Sequence, residues 1–225
     1  MIFESLFSSS AGNLYRVISN DGSQLIIDPG VTWKKLIKAL DFKLSNVVGC
    51  IVSHKHQDHC KSADEMRIQG IEVYDSCIQF EHLKLKPFDV FPFPVLHDVP
   101  NSGFIIKADN ESLFFAVDCA NIVYRFGLPF TYIAIGCSYD IDILKERERN
   151  KTINRHLAER LLTAHMEKGN VLKYLTEKCN LSKCKAVYLI HMSRDNIERE
   201  KIRLDIQHKI YKLTGQTIPV IAAKL

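Results

Sequence analysis

The segment that decides the fold reads Ser53-His54-Lys55-His56-Gln57-Asp58-His59, and it comes at the end of an apolar run over residues 47–53. A continuous apolar run of this length is typical of a strand that is buried on both faces. Three histidines and an aspartate within six residues cannot all lie on one face of a strand or helix. They can converge on a metal ion from a loop, since imidazole and carboxylate groups suit zinc and similar divalent ions. The segment therefore predicts a metal site at the end of a buried strand.

The spacing within the segment is compatible with two ions. His54 and His56 alternate along the chain, and we expect them to share an ion. Asp58 and His59 lie past the turn, where they can reach a second ion. An isolated histidine is more often an ordinary core or surface residue than a ligand, so the prediction rests on the cluster as a whole.

The composition is that of a soluble globular protein. The chain has 225 residues, of which 46% are hydrophobic and 25% are charged. This length suits one domain of a layered α/β fold, and we predict a single domain over residues 1–225. No apolar run reaches the roughly 18 residues that a membrane span needs, and the first residues do not resemble a signal peptide. We therefore expect no association with a membrane.

Cysteine content and net charge bear on the cellular compartment and on the charge of the substrate. The seven cysteines are odd in number and scattered, without the closely spaced pairs of a zinc ribbon or a redox motif. This pattern favours a reduced, cytoplasmic protein. The net charge of +4 permits an anionic substrate without requiring one. The charged run at residues 145–149 alternates in sign, which is typical of a solvated helix face.

Hydrophobic periodicity predicts strands that are interrupted by helices. Two predicted hairpins turn at Asp21-Gly22 and at Asp109-Asn110. The predicted strands cover residues 13–19, 24–28, 47–53, 71–74, 103–108, 113–117, 132–135, 187–190 and 218–222. The predicted helices cover residues 32–40, 62–69, 154–168 and 202–213. This alternation favours two packed sheets that helices cover on the outside.

The motif His54-x-His56-x-Asp58-His59 resembles the signature of the metallo-β-lactamase superfamily. The resemblance implies an α/β four-layer αββα sandwich over nearly the whole chain, and it implies roles for residues at the ends of other apolar strands. Asp28 would support the histidine loop without binding metal. His97 would be the last ligand of the first ion, Asp118 the bridging carboxylate, and His191 the final ligand of the second ion.

Finer motifs resemble the YycJ-like branch of that superfamily. They are Ser8-Ser9-Ser10-Ala11-Gly12-Asn13, His97-Asp98 with Gly103-Phe104, Asn154-Arg155-His156-Leu157 and His191-Met192-Ser193-Arg194-Asp195-Asn196. The branch is associated with phosphodiester cleavage in DNA, alongside ribonuclease Z and cyclic-nucleotide phosphodiesterase relatives. Ala11, Cys60 and the segment from 119 to 150 depart from the pattern of the branch or match nothing specific in it, which leaves the substrate open.

The resemblance implies a binuclear metal-dependent hydrolase, with two divalent ions that lower the pKa of a shared water. Zinc is the expected metal, with manganese and iron as alternatives. Asp58 would orient or deprotonate the water, and His156 would assist departure of the alkoxide. Backbone N–H groups at Gly12 and Asn13 are candidate phosphate contacts. The expected partner is a phosphodiester substrate, in nucleic acid or a cyclic nucleotide, and the oligomeric state is left open.

Other functions are compatible with the same motifs. The alternative substrates are a thioester, a lactone or a β-lactam, or a cyclic mononucleotide, which is a smaller phosphodiester. A member that had lost its activity would be a metal-binding interaction protein, although none of the seven expected ligands is missing here. A di-iron oxidoreductase of this fold would need an added electron-transfer domain, for which 225 residues leave no room.

Overall fold

The computed structural model describes residues 1–75 and 81–224. They form two compact units. The first unit comprises Met1–Pro94 and Val99–Leu113 together with Lys224, and the second comprises Val95–Asp98 and Phe114–Ala223. The single domain over residues 1–225 stays a prediction.

A five-stranded sheet is the framework of the first unit. Its strands lie side by side in chain order: β1 (Ile2–Ser9), β2 (Gly12–Ile18), β3 (Gln24–Ile27), β4 (Val47–Val52) and β5 (Val73–Asp75). The first three strands are antiparallel, as the predicted turn at Asp21-Gly22 requires. β3, β4 and β5 are parallel, so β3 and β4 end at the same edge of the sheet. That edge is where Asp28 and the histidine segment follow.

Three helices complete this part of the first unit: α1 (Trp33–Ala39), α2 (Gln57–Cys60) and α3 (Ala63–Ile68). α1 and α3 confirm the helices predicted at 32–40 and 62–69. Leu36 and Leu40 from the first helix pack with Met66 from the third, against Ile26 and Cys50 of the sheet. All five side chains are buried, so the apolar faces of the helices hold the sheet from one side.

Three more strands begin in the first unit: β6 (Leu83–Leu85), β7 (Phe88–Val95) and β8 (Asn101–Ala108). β9 (Glu111–Ala116) follows β8 across Asp109 and Asn110, whose φ angles are 56° and 59°. Two successive residues with positive φ are what a tight hairpin turn requires, and the predicted hairpin is confirmed. The strand predicted at 71–74 begins two residues later and ends one residue later, as β5.

The second unit contains the end of β9, then β10 (Tyr132–Gly136), β11 (Ala186–Ile190) and β12 (Val220–Ala222), which lie side by side in this order. β10, β11 and β12 are parallel. The helices of this unit are α4 (Ile141–Arg149), α5 (Arg155–Ala164), α6 (Lys168–Lys173) and α7 (Arg199–Thr214), and a π-helical turn (Tyr174–Lys178) continues α6. α4 carries the alternating charges, and α7 ends at Gly215, whose φ is 67°.

The helix predicted over residues 154–168 is confirmed up to Ala164 and wrong after it. α5 ends at Ala164, and His165 is extended, with φ −125° and ψ 158°. A new helix begins at Lys168, where the carboxylate of Glu167 accepts hydrogen bonds from the first free N–H groups. Among the leucines of α5, Leu161 is buried, whereas Leu157 and Leu162 are 49% and 44% exposed.

The mixed α/β organisation with two sheets is confirmed. Within residues 1–75 and 81–224, every helix is too short or too polar to cross a membrane.

Candidate metal centre

In the first unit, the histidine segment begins where β4 ends, and α2 carries its last two members. His54 and His59 are fully buried, whereas the Asp58 side chain is 26% exposed. Nε2 of His54 lies 2.9 Å from Nδ1 of His56, and Oδ2 of Asp58 lies 3.5 Å from Nε2 of His59. The first unit therefore brings four of the predicted ligands together in two close pairs.

Asp28, which follows β3, anchors this loop. Its carboxylate is fully buried and accepts hydrogen bonds from Ser53 N at 2.7 Å and from Ser53 Oγ at 2.8 Å. Its Oδ2 also lies 2.8 Å from Nδ1 of His59. Asp28 has a φ of 53°, a left-handed conformation that turns the chain sharply at the end of the strand. The buried carboxyl group is thus in contact with three polar groups of the histidine loop, as a supporting carboxylate would be.

These hydrogen bonds decide which ring nitrogens carry lone pairs. The Nδ1–H of His59 donates to Asp28, so Nε2 of His59 holds the lone pair. Ser53 Oγ donates to Asp28, so it accepts from Nδ1–H of His54, 3.0 Å away, and Nε2 of His54 is again the nitrogen with a lone pair. Both buried rings therefore present Nε2 as a ligand atom.

The side chain of Asn13 lies against the same loop. Tyr15 OH donates to Asn13 Oδ1 at 3.0 Å, which turns the amide nitrogen towards the histidines. Asn13 Nδ2 donates to the carbonyl oxygen of Asp58 at 3.1 Å and lies 3.0 Å from Nε2 of His59. The sequence pointed to the backbone N–H groups of Gly12 and Asn13. That role towards a phosphate stays a prediction, and the structure adds that the side-chain amide of Asn13 contacts the histidine loop.

Gly30 allows the close approach of the chain to α2. A Cβ atom at Gly30 would lie 1.7 Å from the carbonyl oxygen of Asp58, a distance that no side chain can adopt. Gly30 N donates to the carbonyl oxygen of Asn13 at 2.8 Å. Gly30 is therefore needed for the segments of Asn13 and Asp58 to meet.

In the second unit, His97 lies in a buried position with both nitrogens near oxygen atoms. Its Nδ1–H donates to the carbonyl oxygen of Ala164 at 2.8 Å, and Nε2 lies 3.0 Å from Oδ1 of Asp98. Arg160 Nε donates to the other oxygen of Asp98 at 2.9 Å. Burial lowers the pKa of His97, which favours the neutral ring with its lone pair on Nε2. The lone pair on Nε2 of His97 and the carboxylate oxygen of Asp98 repel each other at this distance. A cation beside the two atoms would relieve this repulsion.

Asp118 and His191 also meet in the second unit. Asp118 follows β9 with a φ of 46°, and His191 follows β11 with a φ of 50°. Nε2 of His191 lies 3.2 Å from Oδ1 of Asp118, and both side chains are almost fully buried. The second unit thus brings the predicted bridging carboxylate beside the predicted final ligand.

A histidine that the sequence analysis missed joins this pair. Nδ1 of His165 also lies 3.2 Å from Oδ1 of Asp118, and the ring is parallel to that of His191 at a centroid distance of 5.6 Å. Its ring centroid is 5.6 Å from that of His97 as well. Within the described residues, the buried Nδ1 of His165 makes no hydrogen bond. The sequence analysis missed His165 because the predicted helix ran through it. The local sign that a new helix begins here is the N-cap residue Glu167, and glutamate is not among the preferred N-cap residues.

His156, the predicted catalytic histidine, lies on the outer face of α5. Its side chain is 93% exposed, and Nδ1 lies 3.8 Å from a carboxylate oxygen of Glu159. Asn154 caps α5 by accepting a hydrogen bond from His156 N at 2.8 Å. The Asn-x-His-Leu segment is therefore a helix start in this structure, and its histidine points to solvent, whereas His165 is the buried histidine beside Asp118.

The donor atoms fit a divalent metal. The two units supply imidazole nitrogens and carboxylate oxygens, the ligand types that zinc, manganese and iron accept. Ligand atoms of Asp58 and His59, and likewise those of Asp118 and His191, lie within 4.8 Å of each other. Buried carboxylates beside buried histidines are costly unless protons or cations compensate them.

Comparisons of the sequence with known proteins agree with this geometry. The family model described as the anti-Pycsar protein Apyc1 matches residues 7–84. The exodeoxyribonuclease YycJ of Bacillus anthracis is 23% identical over 236 residues, covering 91% of this chain and 87% of that protein. The resemblance to the YycJ-like branch is thus matched by a curated relative that carries this name.

Solved structures show the fold. The metallo-β-lactamase fold protein YhfI from Bacillus subtilis has a TM-score of 0.71 at 14% identity, with 99% of this chain and 95% of that chain covered. Zn²⁺-bound PqqB from Methylobacterium extorquens has a TM-score of 0.66 at 11% identity, with 100% and 99% covered. The chain has the metallo-β-lactamase fold, and the predicted fold class is confirmed.

Proposed function

We propose that this protein is a binuclear metal-dependent hydrolase that cleaves phosphodiesters in DNA or another nucleotide substrate. The observation that carries the proposal is the buried hydrogen-bond network in which Asp28 and Ser53 fix the rings of His54 and His59. The network leaves Nε2 of each ring as a ligand atom, and such support of histidine ligands is a regular feature of metal sites. The curated relative, itself an exodeoxyribonuclease, supports the substrate class.

The proposed ligands are those that the sequence predicts. They are His54, His56, Asp58, His59, His97, Asp118 and His191. Two divalent ions are proposed, with zinc as the native metal and manganese or iron as alternatives. Bound ions of this kind lower the pKa of water and polarise phosphoryl oxygens.

The chain itself would move the protons. Asp58 is partly exposed, so its carboxylate can reach a water molecule and accept its proton. The leaving oxygen needs a proton as well, and this role fits His165 better than His156. His165 is buried beside Asp118, whereas His156 faces solvent on α5. The assignment of His156 stays a prediction, tested below against His165.

The other reaction classes remain as alternatives to this proposal: a cyclic nucleotide, a thioester, a lactone or a β-lactam as substrate, or a metal-binding interaction protein without activity. We also propose a reduced, cytoplasmic setting. All six cysteines within the described residues are free thiols, and burial raises the pKa of the Cys60 and Cys184 thiols, which makes them less reactive.

One parallel assay tests the proposal. The purified protein, loaded with zinc or manganese, is assayed on bis-p-nitrophenyl phosphate, linear DNA, RNA, cyclic mononucleotides, nitrocefin and a lactone, with chelator-treated protein as the control. We expect turnover of a phosphodiester that chelation removes and metal restores. Turnover of nitrocefin or the lactone alone would show that the substrate is a β-lactam or a lactone and not a phosphodiester. Two bound ions without any turnover would favour a metal-binding interaction protein.

A further inference from the structure

Residues 138–140, which follow β10, hold the segment that begins at His165. Ser138 N donates to the carbonyl oxygen of Met166 at 3.0 Å, and Lys168 N donates to that of Tyr139 at 3.0 Å. Tyr139 and Glu167 thus pair as a short parallel bridge. The extended stretch between α5 and α6 is therefore in register with the chain after β10.

The opposite edge of residues 138–140 holds the segment that begins at His191. Ser193 N donates to the carbonyl oxygen of Ser138 at 3.1 Å, and Asp140 N donates to that of Asn196 at 2.8 Å. One short stretch of backbone is consequently bonded to both segments whose histidines lie 3.2 Å from Asp118.

A side-chain ion pair stabilises the contact between residues 138–140 and the segment that begins at His165. The ammonium group of Lys168 donates to Oδ2 of Asp140, and the other carboxylate oxygen accepts from Asp142 N at 2.9 Å. The Asp140 side chain is 9% exposed and that of Lys168 is 29% exposed. Burial alone would raise the pKa of Asp140, but the hydrogen bond and charge of Lys168 hold it below its ordinary value. The pair is therefore charged at neutral pH.

We propose that Asp140 and Lys168 are a positioning pair for the phosphodiesterase reaction. The pair fixes the start of α6 and so holds His165 beside Asp118. This inference rests on the proposed function. In the reaction, the oxygen of water forms the new bond to phosphorus and its proton passes to Asp58. The bond from phosphorus to the leaving oxygen breaks, and that oxygen keeps the electron pair and takes up a proton that reaches it through His165. Exchange with solvent returns both groups to their starting state.

The distance from the pair to the chemistry sets the expected size of the effect. Lys168 is three residues beyond His165, so its loss would shift the ring rather than remove it. A displacement of about 1 Å at a reacting group costs up to about 10²-fold in rate. We expect Lys168→Met to keep both metals and the KM for linear DNA, and to lose between about tenfold and 10²-fold in kcat.

A double-mutant cycle tests whether the pair acts through His165. Lys168→Met should reduce kcat in the wild-type background and leave it unchanged in a His165→Ala background, and Lys168→Arg should restore most of the rate. Lys201→Met is the matched control, because Lys201 forms an exposed pair with Glu198 at 3.5 Å. Equal losses in both backgrounds would overturn the proposal. If Lys168→Met does not fold, Asp140→Asn takes its place in the cycle.

A second readout does not depend on activity. In ¹⁵N-histidine-labelled protein, the ring resonances of His165, assigned by their absence in His165→Ala, should move in Lys168→Met and stay in place in Lys201→Met. Unmoved resonances in Lys168→Met would overturn the positioning role. If the wild type cleaves no phosphodiester, the proposed function fails, while this measurement still decides whether the pair positions His165.

Discussion

Nδ1 of His59 lies 2.8 Å from Oδ2 of Asp28, and both side chains are completely buried. The contact ties a residue after β3 to a residue in α2, which are 31 positions apart in the chain. A buried carboxylate is stable only with hydrogen-bond donors around it, and Ser53 supplies the other two. Asp28 therefore supports the proposed ligand His59, and His59 in turn supplies one of the donors that Asp28 needs.

Removal of this support should weaken metal binding and folding together. We expect Asp28→Ala to lower zinc affinity by about 10–100-fold. Without the carboxylate, the donors on His59 and Ser53 stay buried and unsatisfied, which costs about 1–3 kcal/mol each. Zinc titration and thermal unfolding of the metal-free protein measure the two effects. Wild-type zinc affinity in a folded variant would show that the Asp28 contact does not support the site.

Gly30→Ala should disrupt the same loop by steric contact alone. The new Cβ would lie 1.7 Å from the carbonyl oxygen of Asp58, so one of the two segments must move. Overpacking of this kind costs about 1–3 kcal/mol or more, and we expect a lower Tm and loss of metal. Gly127→Ala is the matched control, since a Cβ there meets nothing within 4 Å. Equal Tm values for the two variants would contradict the close approach.

Asp118→Ala should abolish turnover and leave the fold intact. The carboxylate lies 3.2 Å from both His165 and His191, and its loss removes the proposed bridge. We expect at least about 10²–10³-fold lower kcat, the loss typical for removal of one electrostatic stabiliser. Circular dichroism checks the fold, and the exposed Asp205→Ala is the control. Wild-type turnover in Asp118→Ala would rule out the bridging role.

Two histidine variants decide which residue protonates the leaving group. General acid assistance is worth about 10²–10⁴ in rate, and a p-nitrophenyl ester needs little of it. His165→Ala should therefore lose that factor on DNA and much less on bis-p-nitrophenyl phosphate. His156→Ala should leave both rates unchanged, because its side chain is 93% exposed. The reverse pattern would return the role to His156.

The metal-free protein should lose stability on mild acidification through His97. Its pKa in the folded state is lowered by burial, while in the unfolded chain it is about 6.5. The unfolded state therefore binds the proton more readily, and stability falls as the pH drops below about 6.5 towards the folded-state pKa. Denaturant unfolding at pH 7.5 and pH 5.5 measures the loss, which should be smaller in His97→Gln. An equal loss in both proteins would assign the effect to other groups.

The sequence predicted the parts of the molecule that depend on local pattern. The apolar run of β4 and the two hairpin turns carry strong local signals, and the strand and both hairpins are confirmed. β7 was missed because Pro92 and Pro94 interrupt a strand pattern, although the structure keeps it as a strand.

His165 was missed for a different reason. Its position depends on the backbone pairing of Met166 and Lys168 with residues 138–139, and on its contact with Asp118. Helical periodicity across residues 154–168 could not reveal that the helix stops at Ala164. The same limit applies to α5, where Ala158 and Ala164 are buried while Leu157 and Leu162 are exposed.

The left-handed backbone at Asp28, Asp118 and His191 restricts which amino acids can take their places in an engineered metal site. Aspartate, asparagine and histidine enter this conformation more readily than other residues with a side chain. Glutamate offers the same carboxylate but does not favour this conformation, and β-branched residues adopt it even less readily. A protein engineer who wishes to retune the metal preference can exchange aspartate, asparagine and histidine at positions 118 and 191, the two proposed ligands among the three, with little backbone penalty. Any longer or branched ligand would first have to overcome the conformation of the main chain.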